Sequence, residues 1–228
     1  MTLVKVSSGD LEKKNNVELD WEKVNARKRY LGAKRCIDFI GALCGLILLS
    51  PVFLIVAVLI KYEDRNGSVL FKQIRIGKDG KEFYMYKFRS MVIDAEEKLK
   101  GLLEYNEVSG AMFKMKEDPR ITKIGKFIRK TSIDELPQLI NVLKGEMSLV
   151  GPRPPLQREV KVYTSYDKQR LLVMPGCTGL WQVSGRNNLG FEEMVELDLK
   201  YIQERNFWYD IRIIFKTIKI MIISNGAY

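Results

Sequence analysis

The chain has 228 residues, 38 of them basic and 28 acidic, for a formal charge of +10, and it contains no histidine. Such a length suits one domain with an appendage, and such a charge suits an anionic partner: a phospholipid face, a nucleotide or a nucleic acid. The missing imidazole excludes Ser-His-Asp and Cys-His catalysis and every His-containing zinc site. Acid–base or nucleophilic work then falls to Asp, Glu, Lys, Tyr, Ser, Thr or Cys. Cys36, Cys44 and Cys177 have no metal-ligand spacing and read as small apolar fillers in a reducing compartment.

Residues 1–33 are polar and mixed in charge. Val17, Leu19, Trp21 and Val24 are poorly spaced for a surface helix, so a flexible or loosely docked arm is expected. Arg27, Lys28, Arg29, Lys34 and Arg35 form a basic collar. From Phe39 to Ile60 no residue is charged, a length that reaches across a bilayer core of roughly 30 Å. Ser50-Pro51 interrupts it near the middle, where proline removes a helix hydrogen bond. Each arm is then about eleven residues, or roughly 16 Å of helix, half the core. Lys61 and Arg65 beyond it place cations on both flanks, which favours keeping both ends cytoplasmic. Ser50 can bond a carbonyl freed at the bend. The preferred reading is a re-entrant helix-break-helix hairpin over residues 34–62. A kinked spanning helix is the alternative, and a buried soluble helix is the third reading.

Residues 63–228 read as a cytosolic or interfacial domain. Val69 to Gly77 and Lys81 to Phe88 are strand-like runs around Asp79-Gly80, hence a β-hairpin. Lys87 and Arg89, flanking Phe88, are either a solvated face or phosphate ligands at a strand end. Met91 to about Val108 is expected as an amphipathic helix.

The central stretch is Arg129-Lys130-Thr131-Ser132-Ile133-Asp134-Glu135-Leu136-Pro137-Gln138-Leu139. One reading is structural: Ser132 and Glu135 as a capping box, or Asp134 as the N-cap with Pro137 in the first turn. The other is functional: a carboxylate beside cations at a helix terminus, where a phosphate also binds. Further on, prolines on both sides restrict the backbone around Arg153, as suits a guanidinium gripping an anion in one geometry. An ordinary proline-rich loop is the alternative. Residues 156–173 look helical. Gly179 to Arg186 reads as a short strand ending in a loop, with Arg186 a further phosphate ligand. Phe191 to Arg205 is a second charged helix. Phe207, Ile211, Ile214, Phe215, Ile218 and Ile222 then form a stripe that fits either a membrane-interface helix or a core-facing one. The fold class expected is α+β, mostly helical, with a small sheet at the hairpin.

Several motifs occur in one order: the apolar segment with Ser50-Pro51, Phe71-Lys-Gln-Ile-Arg-Ile-Gly77, Lys87-Phe-Arg-Ser-Met91, Thr131-Ser-Ile-Asp-Glu-Leu-Pro-Gln-Leu139, Leu149-Val-Gly-Pro-Arg-Pro154 and Trp181-Gln-Val-Ser-Gly-Arg186. Together, from about Lys34 to about Tyr209, they resemble the bacterial sugar transferases, the monotopic polyprenol-phosphate phosphoglycosyl transferases, in their short catalytic-core form. The resemblance implies transfer of a sugar-1-phosphate from a UDP-sugar to undecaprenyl phosphate, with release of UMP, at the inner leaflet of the bacterial cytoplasmic membrane. It puts the family's acidic dyad on Asp134 and Glu135, and its helix break on Ser50 and Pro51. It puts the phosphate-gripping cations on Lys87, Arg129, Arg153 and Arg186. Asp134 is expected as nucleophile and as a ligand of Mg²⁺, and Glu135 as an assisting base or metal-positioning group. The sugar is not specified, a homodimer is left open, and nucleic acid is not an expected partner. The competing class is a membrane-tethered basic binding module or scaffold without catalysis.

Overall fold

The computed structural model describes residues 19, 21–107, 115, 117–185 and 189–223. In chain order the elements are α1 (Trp21–Ala26), α2 (Lys28–Leu48), α3 (Ser50–Glu63), β1 (Leu70–Ile76), β2 (Glu82–Phe88), α4 (Ala95–Leu99), α5 (Lys123–Lys130), α6 (Gln138–Lys144), β3 (Ser148–Val150), α7 (Gln157–Val160), α8 (Ser165–Lys168), β4 (Gly176–Thr178), α9 (Phe191–Glu204) and α10 (Phe207–Ile223), with short 3₁₀ turns between some of them. The fold is therefore mostly helical α+β, as expected.

α2 and α3 meet at a 59° bend. Pro51 opens α3, where its missing N–H loses no helix bond, and Ser50 Oγ donates to the Ile47 carbonyl at 2.8 Å. Among the described residues no single helix is long and apolar enough to cross a membrane, although this bent pair is so when taken together. Around the elbow Ile47, Leu48 and Leu54 stand 63 %, 78 % and 67 % exposed. Other faces of both arms are seated on the domain, Phe53 beside the break included, its ring 5.1 Å from that of Phe88. Ala42 packs with Val142 and Met147, and Val56 and Ile60 pack with Phe88 and Ile128.

β1 and β2 pair antiparallel with Phe71 opposite Lys87 and Ile74 opposite Tyr84. The turn between them needs left-handed backbone, which Asp79 (φ 56°) and Gly80 (φ 76°) supply. Alternation along β2 turns Phe83 and Met85 into a cluster with Ala42, Val142 and Met147. The buried Asn141 side chain ties α6 to the free edge of β2, accepting from Tyr86 N at 3.0 Å and donating to Tyr84 O at 2.7 Å.

Several expected boundaries move, each for a tertiary reason. The helix expected from Met91 starts only at Ala95, because Met91 bridges to Ile121 and Val92 N donates to Arg120 O. The element runs on as a 3₁₀ turn to Tyr105, and Val108 lies outside the described residues. The expected helix over 156–173 is split, since Thr164 and Asp167 cap each other reciprocally and start α8 afresh. The strand expected at Gly179 lies upstream, as β4, pairing in parallel with β3. A Cβ on Gly176 would come within 2.0 Å of the Gly151 nitrogen, so only glycine permits that approach. At the N-terminus, Leu19 and Val24 are buried with Val150, Tyr201, Ile202 and Ile213 in the main core. α10 sends Ile213 into that core while Trp208, Phe215 and Ile218 stay exposed, so its apolar residues lie on two sides.

Candidate active site

α5 and α6 are joined by residues 131–137, and neither capping arrangement expected there forms. Ser132 is left-handed (φ 57°) and its side chain caps nothing. Ile133–Glu135 make one 3₁₀ turn, and Pro137 directly precedes α6. A non-glycine residue in the left-handed region costs about 1–2 kcal/mol, and such strain persists only where the surroundings impose it. α5 is closely seated at its other end. A Cβ on Gly125 would lie 1.9 Å from the Ser90 carbonyl oxygen, so glycine lets α5 lie directly on the chain leaving β2. Thr122 N donates to that same oxygen at 3.1 Å.

This packing delivers Lys87, near the end of β2, to the turn. Its Nζ donates to Glu135 Oε1 at 2.6 Å. Asp134 is buried, at 7 % exposure, while Glu135 remains partly open. The two carboxyls are consequently driven apart in acidity. Burial, with Glu135 adding to it, pushes Asp134 up to about 6 against the pull of Lys87 and Arg129. Burial also works to raise Glu135, but Lys87, with Arg153 and Arg75, overcomes it and holds Glu135 below its usual range.

Arg153 stands on the loop after β3. Its Nη1 lies 3.4 Å from Glu159 Oε2, and that buried carboxylate also accepts from Leu156 N at 2.9 Å at the start of α7. β1 pins the loop at two points: Ile76 N donates to Pro155 O and Arg75 Nη1 donates to Pro154 O, both at 2.9 Å. Arg75 is a candidate site residue that the sequence alone did not single out. It is buried, donates to Gln73 Oε1, and acts electrostatically on Glu135. Burial, with Arg153 next, brings its guanidinium down to about 9, still a cation at neutral pH. The available signal was an arginine in an otherwise apolar strand end, a residue type almost never buried without a partner.

The structure thus gathers Asp134, Glu135, Lys87, Arg129 and Arg153 and adds Arg75. It does not bring Arg89 to them. Arg89 is ion-paired with Asp64 at the end of α3, donates to the Asp64 carbonyl at 3.1 Å, and is wrapped by the turn through Gly67. Arg186 lies outside the described residues, and Ser50 and Pro51 are at the elbow of α2 and α3. Cys177 is no rival nucleophile, because burial, reinforced by Glu135, pushes its thiol far above the usual range. Among the described residues no three His, Cys, Asp or Glu side chains assemble a metal cage. The donors suit only a cation that takes one or two carboxylates and completes its shell with water or substrate oxygens.

The sequence profile described as bacterial sugar transferase matches residues 29–224. The chain belongs to the bacterial sugar transferase family. The chain is 52 % identical over 199 residues to the galactosyl transferase CpsE of Streptococcus agalactiae, covering 87 % of this chain and 44 % of that protein. It is 46 % identical over 199 residues to the undecaprenyl-phosphate galactose phosphotransferase of Salmonella typhimurium, covering 86 % and 41 %. It is 42 % identical over 200 residues to the exopolysaccharide production protein ExoY of Rhizobium meliloti, covering 86 % and 88 %. The chain therefore spans less than half the length of the first two relatives and most of the length of the third.

Proposed function

We propose that this chain moves a sugar-1-phosphate from a UDP-sugar to undecaprenyl phosphate, releasing UMP, through a phosphosugar held covalently on Asp134. The observation that carries the reading is a buried carboxylate, Asp134, on which Lys87 and Arg129 act, beside Glu135, on which Lys87, Arg153 and Arg75 act. A phosphoryl centre is negatively charged and repels an anionic nucleophile, and preorganised guanidinium and ammonium groups remove that repulsion. Lys87, Arg129, Arg153 and Arg75 are the cations on hand.

In the first step an Asp134 oxygen bonds to the phosphorus that carries the sugar. The bridging P–O bond breaks, and its electron pair leaves with UMP. In the second step an undecaprenyl phosphate oxygen bonds to the same phosphorus. The aspartyl O–P bond breaks and the Asp134 carboxylate is restored. Glu135, kept ionised by Lys87, is the assisting base or metal-positioning group. Asp134 would hold Mg²⁺, with diphosphate oxygens and water completing its shell, and the ion would supply charge neutralisation at the diphosphate.

Membrane association at the cytoplasmic face follows from the substrate pair, one a lipid and one soluble. Re-entry is supported by where the two arms of the α2–α3 pair attach. Arg35 donates to carbonyls of α6 and Glu63 accepts from amides of α5. Those helices are joined directly, so the two attachments share one side of any bilayer, while Ile47, Leu48 and Leu54 around the elbow stay exposed.

Two of the relatives are named for galactose, so UDP-galactose is the first donor to test, followed by UDP-glucose and N-acetylated sugars. Detergent-purified protein with Mg²⁺ and undecaprenyl phosphate is expected to release UMP, and Asp134→Ala to release none. Folded, membrane-bound protein that releases no UMP from any donor would instead favour a binding module or scaffold.

A further inference from the structure

Among the charged residues that hold the apolar hairpin to the domain, one on each arm contacts a helix that flanks the Asp134–Glu135 turn. Glu63, the last residue of α3, accepts from the amides of Lys123 and Ile124 at 2.7 and 3.0 Å. These are the first two amides of α5, which have no partner within the helix, and Thr122 Oγ1 accepts the third, from Gly125, at 2.9 Å. Arg35, on α2, donates to the Val142 and Leu143 carbonyls at 2.6 and 2.9 Å. Both lie in the last turn of α6, where the Val142 carbonyl also accepts from Gly145 N at 3.0 Å. α5 ends just before Ser132, and α6 begins just after Pro137. The Asp134–Glu135 turn is therefore strung between two helices whose far ends are both gripped by the hairpin.

We propose that Glu63 and Arg35 are positioning residues: from the two arms of the hairpin they clamp α5 and α6 from outside, and so fix the turn that presents Asp134 and Glu135. The α2 side of the clamp is closely fitted. A Cβ on Gly45 would meet Leu139 of α6 at 3.0 Å, and one on Gly41 would meet Leu149 at 2.8 Å. Arg153 and Arg75 are held separately, through β1 and α7. Loosening the clamp thus moves the nucleophile relative to cations that stay in place. The consequence for turnover rests on the reaction proposed above, whereas the effect on the turn does not.

The test uses the full chain in detergent or nanodiscs, as Glu63→Ala and Arg35→Ala. Glu63→Gln, which keeps one acceptor oxygen, stands in should the alanine form fail to fold. Lys61→Ala is the control, since Lys61 lies at the same hairpin end and, among the described residues, donates to Arg65 O. Hydrogen–deuterium exchange of peptides covering residues 131–137 is expected to speed up at least about fivefold in the clamp variants and not in the control. For UMP release, kcat is expected to fall about tenfold, as small misplacements of a nucleophile do, with KM for the UDP-sugar unchanged within about twofold. Exchange in 131–137 equal to that of Lys61→Ala overturns the proposal whatever the activity. So does a kcat equal to wild type, or a loss that only tracks the folded fraction. Wild-type protein that released no UMP would sink the proposed reaction, and the exchange comparison would still decide the clamp.

Discussion

Lys87 and Glu135, 48 positions apart in sequence, meet at 2.6 Å where the end of β2 faces the turn between α5 and α6. The pair does more than join two segments. Lys87 also favours the charged form of Asp134, so one ammonium lets two adjacent carboxylates share a cramped site. Lys87→Ala is expected to lower turnover at least about a hundredfold, while Lys87→Arg keeps part of it. Adding Glu135→Ala to Lys87→Ala should cost less than the two separate losses combined, because the residues act as a unit. Full additivity in that double-mutant cycle would contradict the coupling.

The pH profile follows from Asp134, pushed up to about 6 chiefly by burial. The proposed mechanism needs this carboxylate ionised, so kcat/KM is expected to fall on the acid side with a midpoint near 6, by about tenfold per pH unit below it. A dication beside the carboxylate favours the charged form. Raising Mg²⁺ should therefore move the limb to lower pH. A limb near 4 that ignores Mg²⁺ would mean Asp134 is not the titrating group.

Gly125→Ala tests the packing that brings β2 to the turn. The added Cβ meets the Ser90 carbonyl, a backbone atom that cannot swing aside. A destabilisation of about 1–3 kcal/mol is expected, as for other overpacked sites. Residual folded protein should be less active than wild type, because α5 carries Arg129 and leads into the dyad. Chemical denaturation and UMP release on the same sample read both effects.

Arg89→Met should act on stability more than on substrate. Its partner Asp64 is held below its ordinary pKa, first by the Arg89 hydrogen bond. The stability from that pair is complete above the unfolded aspartate value of about 3.9, and it is lost as pH falls through the lower folded value. The variant is expected to have a lower Tm at pH 7, and the gap from wild type should close in strong acid. The UDP-sugar KM of the folded protein should not change. A raised KM with an unchanged Tm would return Arg89 to the phosphate ligands.

Much of this was readable from local chemistry. Asp79-Gly80 announces its hairpin because few other pairs tolerate that backbone. Ser50-Pro51 announces its bend because proline cannot donate. What local chemistry hides is decided across the chain. The seating of α5 depends on Gly125 lying on Ser90, a contact that no window around residue 132 contains. Arg75 looks like a strand cation facing water until Pro154 and Gln73 enclose it. Arg89 looks as available as Lys87, two positions away, but α3 ends beside it and supplies Asp64. β3 and β4, three residues each, carry too little pattern to be seen before their glycines are known to touch.

The most direct measurement for the proposed two-step transfer is isotope exchange in the absence of undecaprenyl phosphate. Purified protein, Mg²⁺, the accepted UDP-sugar and radiolabelled UMP are incubated together, and label is followed into the UDP-sugar. A phosphosugar on Asp134 requires exchange without the lipid, and none in Asp134→Asn. Turnover with undecaprenyl phosphate but no exchange without it would mean direct transfer between the substrates, and would remove Asp134 as the nucleophile.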